Sequence, residues 1–123
     1  MIYTSYFGAL KRIPPDIVPI SICGKAPEWW TGKQYKKLAP KWSFFQEWKQ
    51  NHDNDYYTEC FKEQVLDKLD PTQVVADLEA LAEGRQFILL CYEKPLEFCH
   101  RHLVADWFNE HGYDAAELHI IYG

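Results

Sequence analysis

Short apolar runs alternate with amphipathic stretches along the chain, which is the pattern of an α/β protein. The apolar runs predict strands over residues 2–7, 17–23 and 87–92, and a last short strand over 117–121. The third run, Phe87-Ile-Leu-Leu-Cys-Tyr, has six consecutive apolar residues between polar flanks. A strand that is apolar on both faces is typical of the middle of a parallel sheet, so we expect this one to be central.

Helices are predicted between these strands. The first covers about residues 43–50, with Ser43 as its N-cap and Gln46 in the capping-box position. The second covers 56–69, where apolar residues recur every four positions (Tyr57, Phe61, Val65 and Leu69), and Cys60 beside that stripe is expected in the core.

Two more helices have clear end signals. One begins with Asp70 as cap, Pro71 in the first turn and Gln73 completing a capping box, and it ends at Gly84. The other opens near Cys99 and ends at His111-Gly112. Its buried stripe consists of Leu103, Val104, Trp107 and Phe108.

This order of elements predicts one domain over residues 1–123, a small three-layer Rossmann-like α/β domain with a mainly parallel sheet. Ligands of such sheets bind beyond the carboxyl ends of the strands. The functional residues are therefore expected just after Tyr6, Ile22 and Leu90.

Composition excludes several classes of protein. Aromatic residues make up 16% of the chain, which supports a packed core and argues against disorder. No apolar run approaches the length of a membrane span, and the first residues lack the features of a signal peptide. We therefore expect a cytoplasmic protein without a membrane partner, whose four cysteines are reduced.

The net charge of −5 conceals two unlike halves. Residues 1–50 carry eight Lys or Arg against three Asp or Glu, whereas residues 51–123 carry five against fifteen, giving +5 and −10. An acidic average argues against nonspecific binding of nucleic acid, but the basic half can still present a local anion-binding face.

The segment from the central strand into the last helix concentrates reactive side chains: Cys91, Glu93, Cys99, His100 and Arg101. Amides and the dipole at a helix N-terminus favour an anion, and a guanidinium suits phosphate or carboxylate. A cysteine in the same place has a lowered pKa. The segment thus predicts an anion site, thiol chemistry, or both.

The alternatives for this segment stay open. Cys91 or Cys99 could be a nucleophile, but Cys91 lies ten residues before Arg101, which is too long a spacing for a C-x5-R phosphate cradle. Another alternative is a metal site formed by Cys91, Cys99 and His100 or His102, with Cys23 as a possible addition. These residues lack the C-x2-C knuckle of common zinc sites, so we predict no metal. We identify no cofactor. In the plainest interpretation, the two cysteines only pack under the loop.

The motif LLCYEKPLEFCHRHLVADW resembles the signature of the domain-of-unknown-function 488 family: a strand ending Leu-Cys-x-Glu, then Cys-His-Arg and a helix beginning Leu-x-Ala. The matching positions are Leu90, Cys91, Glu93, Cys99, His100, Arg101, Leu103 and Ala105. The resemblance implies a compact Rossmann-like fold of bacterial or phage origin and supplies no reaction. At the second strand the family has Asp-x-Arg and this chain has Ile-Ser-Ile-Cys, which leaves Lys25 to take over any role of that arginine.

Residues 25–49 interleave lysines with aromatic residues, the ingredients of a groove for single-stranded nucleic acid. Core packing of these rings is the favoured interpretation, and nucleic acid is the less favoured partner. Trp29 and Trp30 are adjacent, so one of them should be exposed or stack on a ligand. Thr4 and Ser5 end the first strand and add hydroxyl donors.

Together these observations predict binding of a nucleotide-like or other phosphorylated small ligand at the strand carboxyl ends. Arg101 and the amides near Cys99 would hold the anion, with His100 and Lys25 beside it and Trp29 or Trp30 as a lid. One alternative is a hydrolase or transferase acting on a nucleotide or modified base through Cys91, Cys99 or Glu93. Another is a protein-binding phage or bacterial regulator that presents its acidic helices.

Overall fold

The computed structural model describes residues 1–118 of the chain. Its strands are β1 (Ile2–Tyr6), β2 (Val18–Ser21), β3 (Lys33–Gln34), β4 (Phe87–Cys91) and β5 (Ala115–Glu117). Its α-helices are α1 (Trp42–Asn51), α2 (Asn54–Gln64), α3 (Pro71–Leu81) and α4 (His100–Glu110). Short 3-10 turns cover Phe7–Arg12, Lys36–Leu38 and Leu66–Lys68. None of the described helices is both long and apolar enough to cross a membrane.

The five strands form one parallel sheet in the order β3-β2-β4-β1-β5, so β4 is central as predicted. Every residue of β4 is buried, which explains its unbroken apolar sequence. The helix α4 packs on β1, β4 and β5, and α2 packs on α4. This is the small Rossmann-like α/β fold that the sequence predicts.

Two helices begin earlier than predicted. The amide of Phe45 donates to the carbonyl of Lys41, so α1 starts at Trp42 and no side chain caps it; Ser43 is not its N-cap. Helix α2 starts at Asn54 because the Asp53 carboxylate accepts the amide of Tyr56 at 3.1 Å. The polar residues before α2 form a cap rather than a turn.

The structure also differs from the prediction at the end of α2, at the bounds of the last strand and at one capping box. Helix α2 stops at Gln64 with Val65 as its C-cap, and a 3-10 turn follows, although the buried stripe continues into Val65. Strand β5 runs over Ala115–Glu117, and residues 119–121 of the strand predicted there lie outside the described part of the chain. The side chain of Gln73 donates to Asp77 and does not complete a capping box.

Asp70 caps α3 as predicted, with its carboxylate accepting the amide of Thr72 at 3.0 Å and Pro71 in the first turn. We expect Asp70→Ala to lower the free energy of unfolding by about 1 kcal/mol because that amide loses its acceptor. Asp70→Asn keeps the acceptor and should change it by only a few tenths of a kcal/mol. Urea unfolding followed by circular dichroism measures both, and equal losses in the two variants would refute the cap.

Candidate active site

The carboxyl ends of β2 and β4 bring two cysteines together. The strands are parallel neighbours with Ser21 opposite Leu90, so Cys23 and Cys91 emerge side by side. Their sulfur atoms lie 3.7 Å apart, and the Cys23 thiol also lies 3.8 Å from the carbonyl oxygen of Leu90. Both residues are buried, Cys91 as the last residue of β4 and Cys23 two residues after the end of β2.

The start of α4 adds Cys99 and His100 to this pair, and Cys99 is the N-cap residue of the helix. The His100 ring is buried, and its Nε2 lies 2.8 Å from the carbonyl oxygen of Ile22. A carbonyl only accepts, so Nε2 carries a proton. We call Cys23, Cys91, Cys99 and His100 the thiol cluster.

Cys99 is the acidic thiol of the cluster. A hydrogen bond from Cys91, together with the hydrogen bond and charge of His100, lowers the pKa of Cys99 to about 3, although burial opposes this. The pKa of Cys91 is raised well above its usual value because that thiol is buried. The position of Cys99 at a helix N-terminus favours its anion as well.

One S–H proton decides where the negative charge resides. The hydrogen bond of Cys91 would lower the pKa of Cys23 as well as that of Cys99, but one thiol can donate to only one sulfur at a time. Cys23 has acceptors of its own in the Leu90 carbonyl and the Cys91 sulfur. We therefore assign the proton of Cys91 to Cys99 and the thiolate to Cys99.

His100 is the counter-ion of that thiolate. Burial alone would lower the pKa of the imidazole, but the hydrogen bond and charge of Cys99 raise it. The net direction is upward, so the imidazolium is favoured beside the thiolate. A thiolate, a histidine and a carbonyl that orients the histidine form the arrangement of nucleophile, base and orienting group that covalent catalysis requires.

A small cavity of about 20 Å³ opens onto Cys99 and His100. That volume holds about one water molecule. The remaining lining residues are Phe45, Trp48, Tyr57, Glu93 and Phe98. Glu93 is half-buried, and burial followed by the charge of Cys99 raises the pKa of its carboxyl group. The cavity therefore places a titratable carboxyl group and aromatic walls beside the thiolate.

The ligand atoms of Cys91, Cys99 and His100 all lie within 4.8 Å of one another, so these residues could hold a metal ion. The ring of His100 is not oriented for that role. The Cys91 sulfur lies 3.4 Å from Nδ1 and 3.3 Å from Nε2, and nearly equal distances place it over the ring face. A metal shared with that sulfur would have to lie in the ring plane on one nitrogen. His102 is not part of the group.

Arg101 does not face an open crevice, contrary to the sequence-based expectation. Its side chain is 0% exposed. Two guanidinium nitrogens donate to both carboxylate oxygens of Glu117 at 3.0 and 2.9 Å, and a third donates to the carbonyl of Glu93 at 2.6 Å. Burial opposes its charge, but the hydrogen bonds to Glu117 raise the pKa of Arg101. Its donors are used inside the protein, and anion binding by it stays a prediction.

A family model described as DUF488-N3a, the active DUF488-N3 subclade, matches residues 9–112. The chain belongs to the DUF488 family. Searches of curated proteins and of solved structures find no match to it. The matched residues include the whole thiol cluster and Glu93, whereas β1 and Glu117 lie outside them.

The remaining predicted site residues of this DUF488 chain do not line the cavity. Trp29 is 59% exposed and Trp30 is half-buried, so one of the adjacent pair is exposed, and both pack on Phe7. Lys25 is exposed, and its carbonyl accepts the hydroxyl of Tyr92. Neither tryptophan lines the cavity, and their role as a lid stays a prediction.

Thr4 and Ser5 are both buried in β1 of this DUF488 chain. The Thr4 hydroxyl donates to Glu117 at 2.7 Å and so supports the partner of Arg101. The sequence offered no sign of this, because the pairing of β1 with β5 decides it. Part of the aromatic lining of the cavity had a visible signal, since Phe45 and Trp48 lie three residues apart on the helix predicted over residues 43–50.

Proposed function

We propose that this DUF488 protein is a hydrolase or transferase whose nucleophile is the Cys99 thiolate and whose substrate is a nucleotide or modified base. The observation that carries the proposal is the placement of Cys99 at the start of α4, where its sulfur lies within 4.8 Å of the Cys91 sulfur and a His100 nitrogen and the residue lines a cavity. The description of the matching subclade as active supports a reactive site.

The substrate class rests on the cavity walls. Trp48, Tyr57 and Phe98 present aromatic rings around Cys99 and Glu93, which favours a flat heteroaromatic group over a sugar or a peptide. The cavity admits one water, so a base must enter by displacing side chains at its rim. In this proposal the nucleotide-like ligand predicted from the sequence is the substrate that the Cys99 thiolate attacks. Arg101 is given no contact with its phosphate.

The chemistry follows from the groups that touch the cavity. The Cys99 sulfur forms a bond to an electrophilic carbon while the bond to the leaving group breaks, and the leaving group takes its electron pair with it. Glu93 or His100 supplies the proton that the leaving group needs. Water, or a second acceptor in a transferase, then attacks the same carbon and returns its proton to that group. The carbon–sulfur bond breaks, and the thiolate is restored.

Alkylation by iodoacetamide, mapped by mass spectrometry, tests the nucleophile without a known substrate. We expect the rate at Cys99 to stay nearly constant from pH 5 to pH 8, because its pKa of about 3 leaves it ionised throughout. An ordinary thiol with a pKa near 8.5 reacts roughly tenfold more slowly per pH unit below that value. His100→Gln removes a hydrogen bond and a charge that lower the pKa of Cys99, so the alkylation rate of this variant should begin to fall at a higher pH than that of the parent protein.

Cys60 provides the matched control, since it is also buried but lies in α2 outside the thiol cluster. Cys99→Ser should remove the fast reaction, and Cys60→Ser should leave it. The proposal fails if all four cysteines react at one slow rate that climbs with pH, which is the behaviour of buried, protonated thiols.

A further inference from the structure

A row of aromatic rings leads from the surface to the active-site cavity. Trp42, Phe45 and Trp48 follow one another on α1 at successive turns, and Phe98 continues the row to Cys99. Neighbouring ring centroids are 6.2, 6.4 and 5.7 Å apart, with interplanar angles of 30°, 32° and 30°. We call these four residues the aromatic row.

The outer end of the row faces solvent. Trp42 is 66% exposed, and the other three rings are half-buried. A core helix normally hides its largest apolar residue, yet α1 buries Phe44 and leaves Trp42 outside. The Lys49 ammonium lies 5.4 Å from the centroid of the Phe45 ring, which adds a positive charge along the row. These are the features of a stacking surface rather than of a core.

A basic groove lies next to the outer end of the aromatic row, where its lining residue Lys41 directly precedes Trp42. It has a volume of about 280 Å³ and is bordered by Lys36, Lys37, Lys41 and Lys68, all exposed. No carboxylate is among its lining residues in the described chain. The two ion pairs found within residues 1–118 use other lysine and arginine residues. The positive excess of the N-terminal half is thus concentrated beside Trp42.

The acidic residue on the same helix lies off this surface. On a helix each residue turns by about 100°, so Glu47 projects on the far side of Phe44 from Trp42 and Phe45. Its carboxylate interacts with Tyr56 of α2 instead. A polyanion running along α1 therefore meets lysines and aromatic faces.

We propose that α1 binds single-stranded nucleic acid, with phosphates in the basic groove and bases stacked along the aromatic row toward Cys99. This inference rests on the proposed function and narrows it, because the substrate base is then part of a strand rather than a free nucleotide. Lysines that neutralise phosphates and rings that stack bases without regard to sequence are the two elements of single-strand grooves. Unpaired bases need no energy to unstack a duplex before they reach a buried sulfur.

Fluorescence anisotropy with labelled oligothymidylate tests the binding. We expect Trp42→Ala to weaken binding by at least about fivefold, since stacking contributes that much or more per base. Tyr56→Ala is the matched control, because Tyr56 is also an exposed aromatic residue but lies outside the row, and it should bind within twofold of the parent protein. Equal effects of the two substitutions would overturn the proposal.

Salt dependence tests the groove. Each phosphate contact to a single strand contributes about −0.7 to the slope of log K against log salt, so four lysines predict a slope near −3. The double variant Lys36→Ala with Lys37→Ala should reduce that slope by about 1.4, and Lys62→Ala on α2 should leave it unchanged. Dextran sulfate bound as tightly as the oligonucleotide, and insensitive to Trp42→Ala, would show general polyanion binding and refute stacking.

The two proposals fail in different ways. Cys99→Ser should keep oligonucleotide affinity within twofold while it loses the fast alkylation. If Cys99 is alkylated rapidly but the protein binds no single strand, only the proposed binding surface is refuted. If the protein binds the oligonucleotide but Cys99 is not reactive, the proposed Cys99 nucleophile is refuted. The claim that the bound strand supplies a substrate base is then refuted as well.

Discussion

Arg101→Leu should lower the free energy of unfolding by about 3–5 kcal/mol, the range for removing one partner of a buried ion pair. The substitution leaves the Glu117 carboxylate, whose side chain is 11% exposed, without its two guanidinium donors. It also frees the carbonyl of Glu93 and removes the positive charge 6.0 Å from the ring of Tyr6. Chemical denaturation with guanidinium chloride measures the loss.

The double variant Arg101→Leu with Glu117→Leu keeps this prediction testable if the single variant does not fold. Replacing both partners of a buried pair by apolar side chains is often neutral, so most of the lost stability should return. Arg85→Leu is the surface control, because Arg85 is exposed and donates to the carbonyl of Pro15. A loss below about 1 kcal/mol for Arg101→Leu would contradict the ion pair as a structural element.

Phe61→Ala should cost about 3–5 kcal/mol of unfolding free energy. Phe61 is 0% exposed, and its ring lies 5.6 Å from that of His100 and 6.1 Å from that of Tyr57. The truncation opens a cavity directly under the imidazole that pairs with the thiolate. Urea unfolding followed by circular dichroism measures the change, with an unchanged m-value showing that two-state unfolding is retained.

Tyr56→Ala is the matched control in the same helix. Tyr56 is 41% exposed, so its removal should change the free energy of unfolding by less than about 1 kcal/mol. If Phe61→Ala cost no more than this control, the core beneath the thiol cluster would have to be loosely packed.

The segment from β4 into α4 was the most predictable part of the molecule. An unbroken apolar run implies a strand buried on both faces, and a parallel sheet needs the following chain to cross over as a helix. Local rules of this kind place Cys91 at a strand end and Cys99 at a helix start without knowledge of the rest of the fold. They also predict the acidic thiol, because a helix N-terminus favours an anion.

The environment of Arg101 was not predictable from the same segment. Its partner Glu117 follows it by a helix and a loop, and β5 must pair with β1 before the two side chains meet. Thr4 joins them from the other end of the chain. Sequence reasoning treats an arginine beside a helix start as a donor for a ligand, whereas here the protein supplies the carboxylate itself.

The aromatic row lies between these two cases. Its spacing is visible in the sequence, and the favoured interpretation was core packing because rings in small domains usually fill the interior. Which side of α1 faces the core depends on where α2 packs, since Phe44 meets Tyr57 and Phe61 across that interface. The spacing of the aromatic residues in the sequence predicts that they form a row. Whether that row faces solvent depends on how α1 packs against α2.

The strand order also sets when this protein can fold during its synthesis. β1 is made first, yet its sheet neighbours are β4 and β5, which are made in the last third of the chain. During synthesis β1 therefore has no strand to pair with until β4 emerges, and β2 has only the two-residue strand β3. Parallel pairing across such sequence separations is intrinsically slow, and the nascent chain exposes adhesive strands meanwhile. Holding chaperones are thus most useful to this protein before β4, Phe87–Cys91, has emerged from the ribosome.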